Sequence, residues 1–273
     1  MTKENILVPW DFSQVAGYAL QHAIKFAKLL NTGISLLHII KKEKEELEVS
    51  EKLKIVVNET QEKYGITPEV LIKEGNIFSA ITEIGNEMAA SLIVMGTHGI
   101  KGMQKFTGSW ALKVIVGCES PVVVVQEAPK DDPIENLVFP IDFRNENKQK
   151  LVWANYLHRL FGAKIFVLLP SETDKLILKK INQNLLFAKN YFADHGINYD
   201  IKLFEDKGSF VDFTIDFAEK LPNSLIMIMT TKNISFQDYV LGADEQKIIA
   251  NELGLPVMCI NPRQDLSKAG SFN

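Results

Sequence analysis

Cysteine is almost missing from this chain: Cys118 and Cys259 are the only two in 273 residues. Two isolated thiols supply neither a disulfide framework nor a metal cluster, and each reads as a small buried apolar residue. A reduced, cytoplasmic setting is the simplest inference. Long apolar runs are missing too. No stretch approaches the roughly 18 residues that span a bilayer. The opening MTKENILVPW has no basic region followed by an apolar core, so no secretion signal is expected there. There is no excess of basic residues: 30 Lys and Arg stand against 34 Asp and Glu, for a net charge of −4 and a pI near 5.8. That balance argues against a broad field for nucleic acid or anionic membrane. Catalytic signatures are equally sparse. The five histidines show no H-x-x-x-H or similar metal spacing. Neither Ser13 nor Ser109 stands in a G-x-S-x-G setting, and no carboxylate pair stands out as an acid/base couple. These absences point away from an enzyme.

What is present is a glycine-rich stretch, IVMGTHGIKGMQKFTGSWALK, from Ile93 to Lys113. Ile93, Val94 and Met95 form a short buried-strand run. Gly96, Gly99, Gly102 and Gly108 follow, and Ser109 opens a segment with Trp110, Val114 and Ile115 at helical spacing. Strand, glycine loop and helix start is the order in which backbone N–H groups can surround a phosphate, and glycine lets the main chain approach a ligand closely. Neither G-x-G-x-x-G nor G-x-x-x-x-G-K-[ST] is matched. A plain loop between a strand and a helix is the alternative reading.

The rest of the chain alternates strands and helices. Asn5 to Pro9 is a strand, Asp11 to Ser13 turns the chain, and Ala16, Leu20, Ala23, Ile24 and Ala27 recur at helical spacing until Gly33. ISLLHII is the second strand. Lys41 to Tyr64, charged but with Leu47, Ile55 and Val56 interspersed, reads as a solvent-facing helix. A strand around Val70 to Ile72, a turn at Gly75-Asn76, a helix over Phe78 to Ala89, the strand Ser91 to Met95, a helix over Ser109 to Val116 and a strand over Pro121 to Val125 complete the half. Such alternation predicts an open parallel α/β sheet flanked by helices, and runs such as PVVVV fit burial on both faces.

The second half repeats the first. ENILVPWDF at Glu4 to Phe12 matches ENLVFPIDF at Glu135 to Phe143, and ISLLH matches IFVLL at Ile165, a shift of 131. Beyond that the shift reads as 134, setting Ile93 on Met227, Gly96 on Thr230, Gly99 on Asn233, Gly102 on Phe236, Gly108 on Gly242 and Ser109 on Ala243. PVMCI at Pro256 to Ile260 echoes PVVVV. Two domains are expected, over 1–127 and 134–262, with Ala128 to Pro133 as linker and a mobile tail over 263–273. Replacing glycines by Thr and Phe makes the second loop a poor phosphate cradle, so at most one nucleotide site per chain is expected.

With PWDFS near the start, LLHII on the second strand, GTHG after the fourth and GS before the last helix, the chain resembles a tandem universal stress protein, over residues 3–126 and more weakly 134–262. The resemblance implies a five-stranded parallel, Rossmann-like domain repeated as an internal pseudo-dimer. It also implies ATP, with any Mg2+, between the end of the first strand and the loop after the fourth. By position, Pro9, Trp10, Asp11 and Ile39 would lie on the adenosine side. Met95, Gly96, His98 and Gly99 would surround the ribose and phosphates, and Gly108, Ser109 and Trp110 would close over the phosphates. The family pattern G-x2-G-x9-G-[ST] is shortened here, with eight residues between Gly99 and Gly108. Trp10 replaces a small residue, and its indole either stacks on adenine or fills the adenine pocket. Trp110 adds bulk.

Other residues carry plainer readings. Asp11 can cap the following helix, and His38 reads as structural. PVVVV would stand at a sheet edge, a hazard unless paired, so Val122–Val125 is expected to pair with Val257–Ile260. A homodimer of the whole chain stays open. The functional expectation is a stress-response regulator that binds an adenine nucleotide in the first domain. The alternative is a nucleotide-independent interaction module, and an ATP hydrolase comes third.

Overall fold

The computed structural model describes residues 5–97, 107–130, 133–205, 208–230 and 243–262. His98, Gly99 and Gly102, the expected counterparts Asn233 and Phe236 of those two glycines, the expected counterpart Gly242 of Gly108, and the tail 263–273 lie outside the described residues. The chain divides between Pro129 and Lys130 into two compact units.

The first unit runs β1 (Ile6–Pro9), α1 (Gln14–Leu30), β2 (Ile34–Ile40), α2 (Glu46–Tyr64), β3 (Glu69–Glu74), α3 (Ile77–Glu87), β4 (Leu92–Gly96), α4 (Thr107–Gly117) and β5 (Val122–Val125). Every pairing is parallel, in the order β3-β2-β1-β4-β5. Ile6, Leu7 and Val8 are wholly buried, as are Val122 and Val123. Burial on both faces is why these strands are unbroken apolar runs and not alternating ones.

Local chemistry sets the helix ends. Ser13 caps α1, its Oγ accepting the Ala16 N–H at 3.2 Å. The helix stops at Asn31, not Gly33: Asn31 takes the left-handed conformation, with φ of 50°, which its short polar side chain tolerates. Asn76 caps α3 by accepting the Phe78 N–H at 2.9 Å. In α2 only Leu53 and Thr60 are buried. Leu47 and Ile55 stand in solvent, so this helix is more exposed than its apolar content suggests. Helix α4 starts at Thr107, two residues before the expected Ser109. Gly108, expected just before the helix, therefore lies within it, together with Ser109 and Trp110.

The second unit runs β6 (Asn136–Pro140), α5 (Asn147–Phe161), β7 (Lys164–Leu169), α6 (Lys175–Asp194), β8 (Tyr199–Leu203), α7 (Phe210–Glu219), β9 (Ser224–Met229), α8 (Ala243–Ile249) and β10 (Val257–Ile260). Its strands, again all parallel, follow the order β8-β7-β6-β9-β10, the same frame as the first unit.

Hydrogen-bond register corrects the shift of 134 expected for β4 and β9. Ile93 pairs with Val122 and Gly96 with Val125, while Ile226 pairs with Val257 and Met229 with Ile260. The N–H of Thr97 reaches the Val125 carbonyl at 2.9 Å, and that of Thr230 reaches Ile260 at 3.0 Å. Gly96 therefore matches Met229, and Thr97 matches Thr230. A run of similar apolar residues leaves such a one-residue slip invisible in sequence; the ladder removes it.

Gly96 has a packing role that phosphate chemistry does not require. A Cβ at this position would sit 2.2 Å from the Val15 carbonyl oxygen and 2.9 Å from its Cβ, so α1 reaches the end of β4 only because glycine is there. In the second unit Met229 occupies this position. There α5 starts at Asn147, two residues later than the shift of 131 would carry the start of α1. We predict that Gly96→Ala lowers unfolding free energy by about 1–3 kcal/mol through overpacking, measured by urea denaturation without any nucleotide present. Unchanged stability would show that α1 can shift freely.

Candidate functional site

In a sheet ordered β3-β2-β1-β4-β5 the chain winds outward from β1 in one direction and returns on the other side at β4. The carboxyl ends of those two strands therefore frame a crevice. A cavity of about 90 Å³ lies there, lined among others by Pro9, Trp10, Asp11, Ile39, Met95 and Gly96. Those are six of the eleven residues expected at a ligand site, delivered by three strand ends. Of the other five, Gly108, Ser109 and Trp110 are placed only by backbone, in the first turn of α4; His98 and Gly99 lie outside the described residues.

The turn after β1 shapes the crevice. Asp11 Oδ1 accepts the Ser13 N–H at 2.9 Å, and it is Ser13, not Asp11, that caps α1. Asp11 is exposed and lines the crevice. Phe12 adopts a left-handed φ of 62°, which is rare for a bulky side chain. Its ring lies 6.1 Å from that of Trp10 and 5.1 Å from that of His38. His38 Nδ1 lies 2.7 Å from the Trp10 carbonyl oxygen, which ties the end of β2 to the turn and bears out a structural reading of that histidine. The indole Nε1 of Trp10 is buried with no hydrogen-bond partner. A buried N–H without an acceptor is uncommon in folded proteins.

The second unit repeats the turn and changes what surrounds it. Asp142 Oδ1 accepts the Arg144 N–H at 2.8 Å, as Asp11 accepts that of Ser13. Arg144 Nε donates to Asp142 Oδ2 at 2.7 Å, and its Nη1 donates to Glu245 Oε1 at 2.8 Å. Asn147 and Asn184 close the turn with amide donors to Asp142 and Arg144. Lys150 stands where the first unit has Ala19, and it is almost wholly buried. Its Nζ donates to the Pro140 carbonyl at 2.5 Å and lies 4.5 Å from the Phe139 ring centroid. Burial pushes its pKa down to about 7, against the attraction of Asp142 and with the repulsion of Arg144. Burial would raise the pKa of Asp142, but the Arg144 hydrogen bond and the charges of Arg144 and Lys150 outweigh it and hold that carboxyl low.

Pro140, Asp142, Arg144, Lys150 and Glu245 line a cavity of about 320 Å³. Sequence reading passed over Arg144, Lys150 and Glu245. The available signal was a lysine at 150 on the register of buried helix positions, matched to an alanine in the other half.

Both cysteines are buried, as expected. Burial raises the thiol of Cys118 to about 12 and that of Cys259 further, so neither is a thiolate at neutral pH. Among the described residues, no group of three His, Cys, Asp or Glu side chains could hold a metal, and no helix is long and apolar enough to cross a membrane.

Residues 3–126 match the universal stress protein family. A universal stress protein of Methanocaldococcus jannaschii is 29% identical over 145 residues, covering 47% of this chain and 85% of that one. The fold is similar to that of a universal stress protein from Archaeoglobus fulgidus, with a TM-score of 0.75 at 18% identity over 96% of this chain and 97% of that chain. A universal stress protein from the same organism in complex with dAMP is 25% identical and matches 46% of this chain and 100% of that one, with a TM-score of 0.39.

Lys150 binds fewer protons in the folded chain than in the unfolded one between pH of about 7 and 10, so its contribution to stability rises with pH across that window. We predict that Lys150→Met removes this slope. The gap between wild type and variant should then change by at most about 1.4 kcal/mol per pH unit, in favour of wild type as pH rises, as measured by denaturant unfolding. A gap independent of pH would show that Lys150 is charged in the fold.

Proposed function

We propose that this chain, which belongs to the universal stress protein family, is a cytoplasmic stress-response regulator that binds ATP or a related adenine nucleotide in its first unit. The observation that carries this reading is the crevice cavity walled in part by Trp10, a residue whose indole N–H is buried and has no hydrogen-bond partner. Leaving such a donor unsatisfied costs about 1–3 kcal/mol, and a ring nitrogen of adenine is an acceptor of suitable kind and size. Leu37, Ile39, Ile77, Ile81 and Met95 supply apolar walls for the base. Asp11 at the mouth is an acceptor for a ribose hydroxyl.

At about 90 Å³, the cavity falls below the roughly 300–1,000 Å³ that encloses a whole small ligand. In this reading it takes the base alone, and the phosphates extend toward Gly108 and Ser109. The first N–H groups of an α-helix have no partner within that helix, and α4 spans eleven residues. Mg2+ would arrive with the triphosphate. The second unit takes no nucleotide, because Arg144 is already held by Asp142 and Glu245 and Met229 stands in place of Gly96.

Isothermal titration with ATP, ADP, AMP and cyclic AMP tests this. The expected result is one site per chain near micromolar affinity, about −8 kcal/mol. Trp10→Phe, which keeps an aromatic ring and removes the indole N–H, should weaken it about tenfold. Neither heat nor a thermal shift at millimolar nucleotide would overturn the reading in favour of a nucleotide-independent interaction module.

A further inference from the structure

The cavity of the second unit, at about 320 Å³, lies within the range that encloses a small molecule. Its walls are largely apolar: Phe143, Phe210, Val211, Ile228, Met229 and Ile248. Its charges are mostly committed to one another. Arg144 bridges Asp142 and Glu245, and Asp244, also lining the cavity, is exposed. A phosphate or carboxylate entering here would meet three carboxylates and a guanidinium already occupied. The site therefore selects a neutral molecule with an apolar body.

One group facing this cavity is not accounted for by packing. The matching position of the first unit is Ala19, which is equally buried, so the fold needs no amine there. The amine holds a single hydrogen bond, to the Pro140 carbonyl, and that residue also lines the cavity. A buried amine near an apolar cavity is the arrangement that makes lysine a nucleophile toward carbonyl carbon, since desolvation favours its uncharged form.

We propose that the second unit binds small, neutral, largely apolar aldehydes or ketones, and that Lys150 captures them as imines. The Nζ lone pair attacks the carbonyl carbon to give a carbinolamine. That species then loses its oxygen, with the two protons from nitrogen, as water, leaving a C=N bond. Nothing is oxidised or reduced, and hydrolysis reverses the step. With a pKa near 7, Lys150 is substantially uncharged at neutral pH, while exposed lysines remain charged. This site is independent of the nucleotide reading for the first unit.

Benzaldehyde with sodium cyanoborohydride at about pH 7.5 tests the proposal on the whole chain, read by intact mass and peptide mapping. The expected result is one benzyl group per chain on Lys150, formed at least about tenfold faster than on any other lysine. Met229→Trp, which fills the cavity, should slow that labelling and leave the other lysines unchanged. Adducts spread over exposed lysines with Lys150 unmodified would overturn the proposal. So would Lys150 labelling indifferent to Met229→Trp, because the amine would then be reacting outside the cavity.

Discussion

Each unit depends on one hydrogen bond made as the chain leaves its first strand. An aspartate oxygen accepts the N–H two residues on, Asp11 from Ser13 and Asp142 from Arg144. The bond reverses the chain at the end of β1 or β6 and sends the next helix back across the sheet. The turn also places the residues before and after the aspartate at the carboxyl ends of the strands, where the sheet order opens a crevice. The aspartate therefore recurs in both halves for a reason of folding, and in the first unit it is exposed.

On this shared frame the two units have diverged chemically. In the first, small residues let α1 close on β4: Ala16, Ala19 and Gly96 leave a narrow, mostly apolar cavity with one orphaned donor. The second has Lys150 in place of Ala19, Arg144 in place of Ser13 and Met229 in place of Gly96. The later start of α5 accompanies a wider cavity whose polar groups are tied into an ion-pair network. A buried pair of this kind contributes little net stability, because desolvation offsets the attraction.

Much of the fold was legible because parallel strands buried on both faces leave continuous apolar runs, and VVVV and ILV are hard to read otherwise. The repeat was equally plain at PWDF and PIDF. The slip of one residue in β9 was not legible, since LIMIM offers several equivalent registers and only the ladder chooses. Helix ends set by Ser13 and Asn31 were misplaced onto Asp11 and Gly33, because side-chain caps and glycine signals compete at close range. Pro9, Trp10, Asp11, Ile39, Met95 and Gly96 were singled out through the motif, and the strand ends bring them to one cavity. Lys150 and its neighbours belong to no motif, and only three-dimensional comparison of the two halves sets them apart.

The central claim is that one frame carries two different sites, with nucleotide confined to the first. Amide hydrogen exchange of the whole chain with and without ATP tests it most directly. The account predicts slower exchange over residues 9–16, 93–97 and 107–111, and unchanged exchange over 140–150 and 226–230. Equal protection in both units, or protection in the second alone, would contradict it.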